Sequence, residues 1–517
     1  MEEKSQNRGG NSEKKKSYRP CSSIFEGVRS FILYAMHSTQ SPSNLPHSFY
    51  PFGDNYVILQ HRNVKPFIHM TQTSRIHTYT YGQIWQIAYP ILLSVLMEQL
   101  IGMTDTAFLG RVGEVELGAS AIGGIFYVAV FMLGMGFSVG TQILMARRNG
   151  EGRYADIGVI FYHSLAFLLA MATVLFALTR LYAPALLTRL MNSADVCHAA
   201  SDFLHWRVYS FFFSFINVLF RAFYVATTNT RTLTFNSLVL VVSNFLFTYT
   251  LIFGHFGFPA YGIAGAAMGN TLAAATSTVF FIIHTLRHVD CAKFGLNRLP
   301  RFRFSLLNQV LGVSIWTMVQ DFLSLATWFL FFIGVEHLGE RELASTNLVR
   351  NISAFTFMTV IAIASTASTL AGNLMGQGEY DAIRPMMKKC IKLGYAILIP
   401  VIFLLCIFPD VVLGIFTNDQ SLIDVSVVPL YVLLSAYIFT IPGQILLKTV
   451  SGTGNTRTAL ACEVATLGVY TLYVVVVILM WQVSLPICWL SEHVYSFFIT
   501  LMTGLYMAYG HWERKKI

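Results

Sequence analysis

Long apolar runs constrain this chain more than any other feature. From Tyr81 to Gly510 the sequence consists of apolar runs of about twenty residues or more, separated by short polar segments. Each run is long enough to cross a hydrocarbon layer about 30 Å thick. Backbone in lipid must satisfy its own hydrogen bonds, so these runs are predicted to be helices. Charged residues make up only 12% of the chain, against about 25% in soluble domains, and the predicted class is an all-α, polytopic membrane protein.

The hydropathy pattern predicts twelve transmembrane helices, which we expect to form two six-helix bundles. The predicted spans are 83–109, 119–146, 157–182, 203–227, 234–254, 261–286, 305–335, 345–374, 389–409, 425–450, 458–481 and 486–510. An even number of spans places both termini on one side of the membrane.

The distribution of basic residues predicts which side that is, because cytoplasmic loops carry the excess of Lys and Arg. One set of alternate loops, together with the tail, holds Arg147, Arg148, Arg153, Arg231, Arg287, Lys293, Arg298, Arg301, Arg303, Arg384, Lys388, Lys389, Arg457, Arg514, Lys515 and Lys516. The other set holds Arg111, Arg180, Arg189 and Arg341. Both termini are therefore predicted to be cytoplasmic. The net charge of +9 reflects this orientation and does not indicate nucleic-acid binding.

The first eighty residues differ in kind from the rest. They are polar and basic at the start and contain no clean transmembrane run or signal-peptide cleavage site. We expect residues 1–80 to be a disordered or weakly interfacial leader, and Met70 is a candidate for the natural start. The predicted organisation continues with a first lobe at 81–290, a cytoplasmic linker at 291–304, a second lobe at 305–510 and a basic cytoplasmic tail at 511–517.

The chain repeats itself at a constant shift of 226 residues. The matched segments are 113–117 with 339–343, 150–152 with 376–378, Asn192 with Asn418, and 229–232 with 455–458. Six helices per half give both halves the same orientation, so we predict a pseudo-two-fold axis along the membrane normal. A molecule of this kind has a cleft between two lobes, which a rocking motion exposes alternately.

The repeated segments also resemble the MATE family of multidrug and toxic-compound extrusion proteins. The resemblance runs from about residue 80 to the end of the second half, through the stretches at 88–119, 147–156, 182–196, 252–267, 374–384 and 449–459. It implies a bacterial efflux transporter with two six-helix bundles, no cofactor, and export of small organic cations in exchange for sodium ions or protons. We expect a monomer in the inner membrane that has no nucleic-acid partner.

Two acids in the first predicted helix are the leading candidates for cation or proton coupling. Asp105 matches the aspartate that takes part in coupling in this family, and a carboxylate within a span usually faces a cavity or a partner. Glu98 lies two helical turns earlier on nearly the same face, roughly 10 Å away. The structural alternatives are an acid solvated at the helix end for Asp105 and a glutamate hydrogen-bonded inside the bundle for Glu98.

The second half departs from the family pattern. The glutamate expected in the seventh helix aligns with Ser324, which corresponds by the repeat to Glu98, so the acid is interpreted as having moved between pseudo-symmetric positions. Asp321 lies one turn before Ser324 and is the third coupling candidate. Acids that some members carry in the tenth and fifth helices align with Ile441 and Thr248, so the choice between sodium ions and protons stays open.

The remaining polar groups at membrane depth are weaker candidates. Asn244 and Asn217 could coordinate an ion or bind substrate, although polar side chains often only join helices. Arg350, Glu463 and Glu492 are interpreted chiefly as packing groups, with Arg350 paired to an acid.

Two other functions were considered. A flippase for lipid-linked saccharides would share the two-lobe plan but needs several basic residues at membrane depth, and here Arg221 and Arg350 are the main ones. An intramembrane enzyme would need a catalytic motif, and the sequence carries no HExxH, paired GxGD-like aspartates or serine–histidine constellation at helix depth. The predicted function is transport.

Overall fold

In a computed structural model, residues 79–190 and 193–515 are described. The leader up to residue 78, with Met70, lies outside them, as do Asn192 of the repeat and Lys516 of the tail. The described helices are α1 Tyr81–Leu109, α2 Glu114–Gly150, α3 Tyr154–Leu190, α4 Ala194–Arg207, α5 Ser210–Ala226, α6 Arg231–Phe253, α7 Gly262–His288, α8 Phe304–Glu336, α9 Glu340–Gln377, α10 Ile383–Ile407, α11 Pro409–Gly414, α12 Gln420–Gly452, α13 Thr456–Tyr473 and α14 Leu485–Tyr509. We refer to α1–α7 as the first lobe and to α8–α14 as the second lobe.

The described helices confirm the all-helical membrane architecture. Eleven of them are long and apolar enough to cross a membrane, and α4 with α5 makes a twelfth if this bent pair is one span. A π-helical segment, Val474–Met480, extends α13. The fourth predicted span, 203–227, is wrong as a single straight helix, because α4 and α5 meet at an angle of 52°.

The repeat explains why the bent pair counts as one span. Shifted by 226 residues, the segment from Ala194 to Ala226 falls on Gln420–Gly452, which is the continuous helix α12. The first lobe therefore breaks a helix that the second lobe keeps whole.

The starts of α2 and α9 show the repeat in three dimensions. A glycine precedes each helix, Gly113 and Gly339, and the carboxylate three residues later folds back over it. A Cβ atom at Gly339 would lie 2.5 Å from Glu342 Oε2, and one at Gly113 would overlap Glu116 Oε2. The same placement of a carboxylate over a glycine thus occurs at equivalent positions of both lobes.

Contacts between α2 and α9 place the pseudo-two-fold axis. A Cβ atom at Gly150 would overlap the carbonyl oxygen of Asn373, and one at Gly376 would overlap the carbonyl oxygen of Arg147. Gly376 is the repeat partner of Gly150, and Asn373 is that of Arg147. Such reciprocal contacts are the mark of a two-fold interface, so the axis passes between these two helix ends.

The lobes touch at one end of the molecule, which we call the closed end. Among the described residues, the interlobe hydrogen bonds lie there, including Gln142 Nε2 to Thr369 Oγ1 at 2.9 Å, Asn149 Nδ2 to Asn373 Oδ1 at 2.6 Å and Thr317 Oγ1 to the Gly136 carbonyl at 2.6 Å. Towards the other end of α2, no hydrogen bond between described residues is found that joins the two lobes. The cleft between the lobes therefore opens at the end opposite the closed one.

Candidate functional site

Asp105 lies near the open end of α1, where it contacts α7. Asn270 Nδ2 donates a hydrogen bond of 2.7 Å to Asp105 Oδ2 and a second of 3.0 Å to the Ala266 carbonyl. The other carboxylate oxygen, Oδ1, is buried and has no hydrogen-bond partner among the described atoms. One half of the carboxylate is therefore fixed by the protein, and the other half remains available to a ligand.

Two buried side chains of α6 complete this part of the first lobe. Asn244 is 1% exposed and Thr248, one turn later, is fully buried. Asn244 lies within hydrogen-bonding reach of the Asp105 carboxylate, but its amide atoms and Thr248 Oγ1 make no hydrogen bond of standard geometry to the described residues. Buried polar atoms are almost always partnered, so we call Asp105, Asn244, Thr248 and Asn270 the first-lobe polar cluster and regard it as a candidate cation site.

The chemistry of the first-lobe polar cluster fits a small hard cation or a proton. Its free atoms include carboxylate, amide and hydroxyl oxygens, which are ligands that hard cations prefer. Arg207, at the bend between α4 and α5, adds positive potential at Asp105 and stacks its guanidinium 4.2 Å from the centre of the Tyr127 ring. A cation held by Asp105 is therefore repelled from the Arg207 side.

Glu98 has a different environment from Asp105. Arg221 of α5 reaches it with Nη1 3.0 Å from Oε1 and 3.4 Å from Oε2. The Glu98 side chain is 45% exposed and the Arg221 side chain 16%. The structural alternative for Glu98 was a hydrogen-bonded glutamate inside the bundle, and the structure gives it a cationic partner from another helix.

Asn217 joins two helices. Its amide nitrogen donates 3.0 Å to the Ala274 carbonyl, and its amide oxygen accepts 2.8 Å from the Thr278 hydroxyl. Both sides of the amide are therefore engaged between α5 and α7, in contrast to Asn244.

Asp321 also forms an ion pair, in the second lobe. Lys448 Nζ of α12 lies 3.5 Å from Asp321 Oδ1, and the two side chains are 25% and 20% exposed. Asp321 follows Thr317 and Met318, which contact Gly136 of the first lobe, by about one helical turn. Asp321 therefore lies on the face of α8 that borders the first lobe, just beyond the closed end.

A carboxylate does reach Ser324, but it comes from Glu463 of α13. The Ser324 hydroxyl donates 2.7 Å to Glu463 Oε1, and the Tyr495 hydroxyl donates 2.8 Å to the same oxygen. Glu463 is 1% exposed and its Oε2 has no partner among the described atoms. A neighbouring helix of the same lobe therefore supplies a carboxylate at Ser324, and the interpretation that the family's acid had moved across the pseudo-symmetry to Glu98 stays a prediction.

Glu463 belongs to a buried polar region that the sequence interpretation assigned to packing. Glu492 lies within electrostatic reach of Tyr470 and Tyr495, and the buried Tyr470 hydroxyl lies within hydrogen-bonding reach of Ser491. The signal in the sequence was Ser324 itself. Where an expected acid is absent from one helix, an acid on a neighbouring helix, here Glu463, can occupy the same place. Arg350 instead lies over the rings of Trp328 and Phe332, at 6.0 and 5.6 Å.

This architecture defines a class of protein. Two repeat-related helical lobes, a cleft that is closed at one end, and carboxylates within both lobes are the features of a secondary transporter. The MatE family model matches the chain twice, at residues 90–250 and 317–477. The chain therefore belongs to the MatE family of transporters and is not an enzyme, and the two matches coincide with the halves of the internal repeat.

The relatives of this chain agree with that assignment. A probable multidrug resistance protein NorM of Thermotoga maritima is 24% identical over 441 residues, which cover 84% of this chain and 93% of the relative. The probable multidrug resistance protein YoeA of Bacillus subtilis is 21% identical over 446 residues, covering 83% and 93%.

Solved structures share the fold. An outward-facing multidrug resistance MATE transporter of the MOP superfamily superposes with a TM-score of 0.76 at 15% identity, covering 84% of this chain and 97% of the other. The eukaryotic MATE transporter AtDTX14 gives 0.74 at 17% identity, covering 84% and 96%.

Proposed function

We propose that this protein exports organic cations and drugs from the cytoplasm in exchange for sodium ions or protons, by alternating access of the cleft between its lobes. The observation that carries the proposal is the first-lobe polar cluster, where Asp105 Oδ1, Asn244 and Thr248 are buried and make no hydrogen bond of standard geometry to the described residues. Family membership and relatives named as multidrug resistance proteins support the same function. No cofactor other than the coupling ion is involved.

The charge distribution supports a direction for the open cleft. The closed end lies beside Arg147, Arg148 and Arg153, which belong to the basic set of loops, and such loops are cytoplasmic. In the proposal both termini are cytoplasmic, the protein lies in a bacterial inner membrane as a monomer, and the described conformation faces outwards.

Competition for negative charge supplies the coupling. On the outward side an incoming ion occupies Asp105 and weakens the attraction that holds the organic cation, which then leaves. Export against a gradient requires only that the two cations favour different arrangements of the lobes. Glu98 and Asp321 are further coupling acids in this proposal, but each contributes only when a cation displaces its basic partner, Arg221 or Lys448.

The flippase alternative loses support from the same contacts. Arg221 and Lys448 are engaged with Glu98 and Asp321, and Arg350 faces aromatic rings. A cavity for a pyrophosphate group needs basic side chains that are not already neutralised.

The test is ethidium efflux from proteoliposomes, with sodium and proton gradients imposed separately. We expect one of the two gradients to drive efflux by the wild type. Asp105→Asn should reduce the gradient-driven rate by about tenfold or more, because the variant lacks the carboxylate that binds the coupling ion or proton at membrane depth. Asp202→Asn, an exposed acid of α4, is the matched control and should behave as wild type. Full gradient-driven efflux by Asp105→Asn would contradict the coupling role.

A further inference from the structure

The bend between α4 and α5 is held in place by side chains. A straight helix would pair the Trp206 and Arg207 carbonyls with the backbone amides four residues later. At the bend, Ser210 Oγ donates 2.7 Å to the Arg207 carbonyl, and Thr271 Oγ1 of α7 donates 3.3 Å to the Trp206 carbonyl. The residue before Thr271 is the asparagine that donates to Asp105. The bend is therefore attached to α7 directly beside the partner of Asp105.

The guanidinium of Arg207 lies over the ring of Tyr127, 4.2 Å from its centre. Tyr127 is 7% exposed, its hydroxyl is hydrogen-bonded to Ser210 and Ser214 at 3.0 Å each, and its ring stacks on Phe211 at 5.1 Å. The negative face of such a fixed ring attracts a cation. Arg207 forms no ion pair with an acid among the described residues. The structure therefore shows this arginine resting on an aromatic ring.

Arg207 also acts on Asp105 over a longer distance. Its positive potential reaches the Asp105 carboxylate, although the two side chains are not paired. Most other charged groups of α1, α4 and α5 are engaged elsewhere, namely Glu98 with Arg221, Asp202 with His198, and His205 with Arg180. Asp105 and Arg207 are therefore opposite charges within electrostatic range of each other, and neither has another charged partner.

The second lobe lacks this set of an acid, a base and a ring. The positions equivalent by the 226-residue shift hold Phe331, Ser353 and Leu433 in place of Asp105, Tyr127 and Arg207. Phe331 is fully buried and Leu433 is 6% exposed, so apolar packing is sufficient at these two places. Residues that the common scaffold required would occur in both lobes. The acid, the base and the ring therefore belong to a function of the first lobe alone.

A carboxylate that exchanges cations at membrane depth needs a partner while it is empty. An unpaired charge there is costly, and a carboxylate without any competitor would release its ion slowly. A base on the same chain can compete with the ion, because its attachment gives it a high effective concentration. The competitor also needs a favourable place to rest while the ion is bound, and an aromatic face is such a place for a guanidinium.

We infer that Arg207 is a tethered counter-cation of Asp105, which pairs with the carboxylate when the coupling cation has left and withdraws to the Tyr127 ring when that cation binds. Arg207 is thus a positioning residue that acts through Asp105, and the described conformation shows its withdrawn arrangement. The inference rests on the proposed coupling role of Asp105 and adds the group that releases the ion.

The test is proton binding to Asp105 in the purified full-length protein in lipid nanodiscs, without any gradient. The Asp105 carboxyl band in infrared difference spectra is the band that Asp105→Asn removes, and its titration gives the proton affinity. Every carboxylate binds protons, so the measurement works whichever ion drives transport. Arg207→Gln should raise this affinity by about tenfold, because the competing cation is lost. Arg207→Lys keeps the charge and should stay within about threefold of the wild type.

Removal of the ring should act in the opposite direction. In Tyr127→Leu the arginine loses its resting place and pairs with Asp105 more often, so the proton affinity should fall by about threefold. The double variant Tyr127→Leu with Arg207→Gln should match Arg207→Gln alone, because the ring acts only through the arginine. Arg180→Gln is the matched control, since Arg180 lies over two other rings at the same bend, and should leave the affinity unchanged.

Transport is measured separately, so this inference and the proposed function can fail independently. In proteoliposomes Arg207→Gln should lower both the half-saturating concentration of the driving ion and the maximal rate of ethidium efflux, because the ion is bound more tightly and released more slowly. If the wild type showed no gradient-driven efflux while the proton affinities shifted as expected, the export proposal would be wrong and the counter-cation would stand. An unchanged or lowered proton affinity in Arg207→Gln, or shifts in the same direction for Arg207→Gln and Tyr127→Leu, would overturn the inference.

Discussion

Two asparagines of the first lobe have the same chemistry but different contacts. Asn217 uses both sides of its amide between α5 and α7, whereas Asn244 lies within reach of Asp105 and makes no hydrogen bond of standard geometry to the described residues. A side chain that already has its hydrogen bonds stabilises the bundle, and one that lacks them is ready to bind a ligand. We therefore expect Asn217 to contribute to helix packing and Asn244 to contribute to ion binding within the same lobe.

We predict opposite outcomes for their alanine variants. Asn217→Ala should lower the free energy of unfolding by about 1 kcal/mol and leave the apparent affinity for the coupling ion unchanged. Asn244→Ala should change the free energy of unfolding little. It should reduce the apparent affinity for the coupling ion by about tenfold, because the Asn244 amide oxygen next to Asp105 is lost as a ligand. Thermal unfolding and the ion dependence of ethidium efflux measure the two effects. The same change in both properties for both variants would refute the distinction.

The hydrogen bond between Ser324 and Glu463 gives a second prediction at the residue scale. Glu463 Oε1 already accepts hydrogen bonds from Ser324 and Tyr495, so the site has room for one acid. We predict that Ser324→Glu, which restores the family's usual residue, destabilises the protein because two carboxylates then share a buried site. Adding Glu463→Gln should recover most of the lost unfolding temperature.

The control for this experiment is Ser324→Ala, which removes one hydrogen bond to Glu463 and should lower the free energy of unfolding by only about 1 kcal/mol. If Ser324→Glu were as stable as wild type with Glu463 intact, the shared-site explanation would be wrong.

At the scale of helices, one difference between the two lobes lies beside the first-lobe polar cluster. The first lobe breaks between α4 and α5 with a 52° bend, whereas α12 runs unbroken through the equivalent segment. At the break, the Ser210 hydroxyl donates to the Arg207 carbonyl at 2.7 Å and to the Tyr127 hydroxyl at 3.0 Å. The bend thereby fixes Arg207 beside Tyr127 and within reach of Asp105, an arrangement that the second lobe lacks.

The ends of α2 and α9 provide a prediction about lobe closure. A Cβ atom at Gly150 would overlap the Asn373 carbonyl oxygen across the closed end. Gly150→Ala should therefore push the lobes apart at that end, shift the population towards the opposite conformation and reduce efflux by about tenfold. Electron–electron distance measurements between spin labels on α2 and α9 report the shift.

Gly118→Ala is the matched control in the same helix. A Cβ atom there would meet nothing within 4 Å, and alanine is a better helix former than glycine by about 1 kcal/mol. This variant should leave the spin-label distances and efflux unchanged. A similar shift in both variants would mean that general effects on α2, and not the contact with Asn373, govern closure.

At the scale of the whole molecule, the proposed alternating access requires the closed end to open. A Cβ atom at Gly372 of α9 would lie 3.0 Å from Ala146 Cβ of α2, so the two positions need to separate by only about 0.5 Å to reach the Cβ–Cβ distance of a disulfide. In a background without the seven native cysteines, we predict that oxidising Ala146→Cys with Gly372→Cys locks the lobes and stops efflux, and that reduction restores it.

The control places a disulfide within one lobe. A Cβ atom at Gly334 would lie 3.8 Å from Ile478 Cβ, both in the second lobe, so oxidised Gly334→Cys with Ile478→Cys should keep transporting. Undiminished efflux with the interlobe disulfide formed would contradict alternating access.

Most of the architecture could be predicted from the sequence. Hydropathy and the 226-residue repeat depend on local composition and on order along the chain, which the sequence states directly, and the twofold match at 90–250 and 317–477 agrees with them. The broken fourth span could not be predicted in this way, because hydropathy measures how apolar a segment is and not whether it is straight. Asp105 was identified from a motif and its depth, without knowledge of Asn270.

Side-chain partners were decided only by the tertiary structure. The sequence by itself determined that the chain spans a membrane, repeats, and carries few acids at depth. It did not determine that Arg221 neutralises Glu98, that Lys448 pairs with Asp321, or that Glu463 occupies the place beside Ser324, since these residues are up to 139 positions apart. The physical reason is that charge at membrane depth is stabilised by whichever helix packs nearby, and that neighbour is set by the packing of all the helices together.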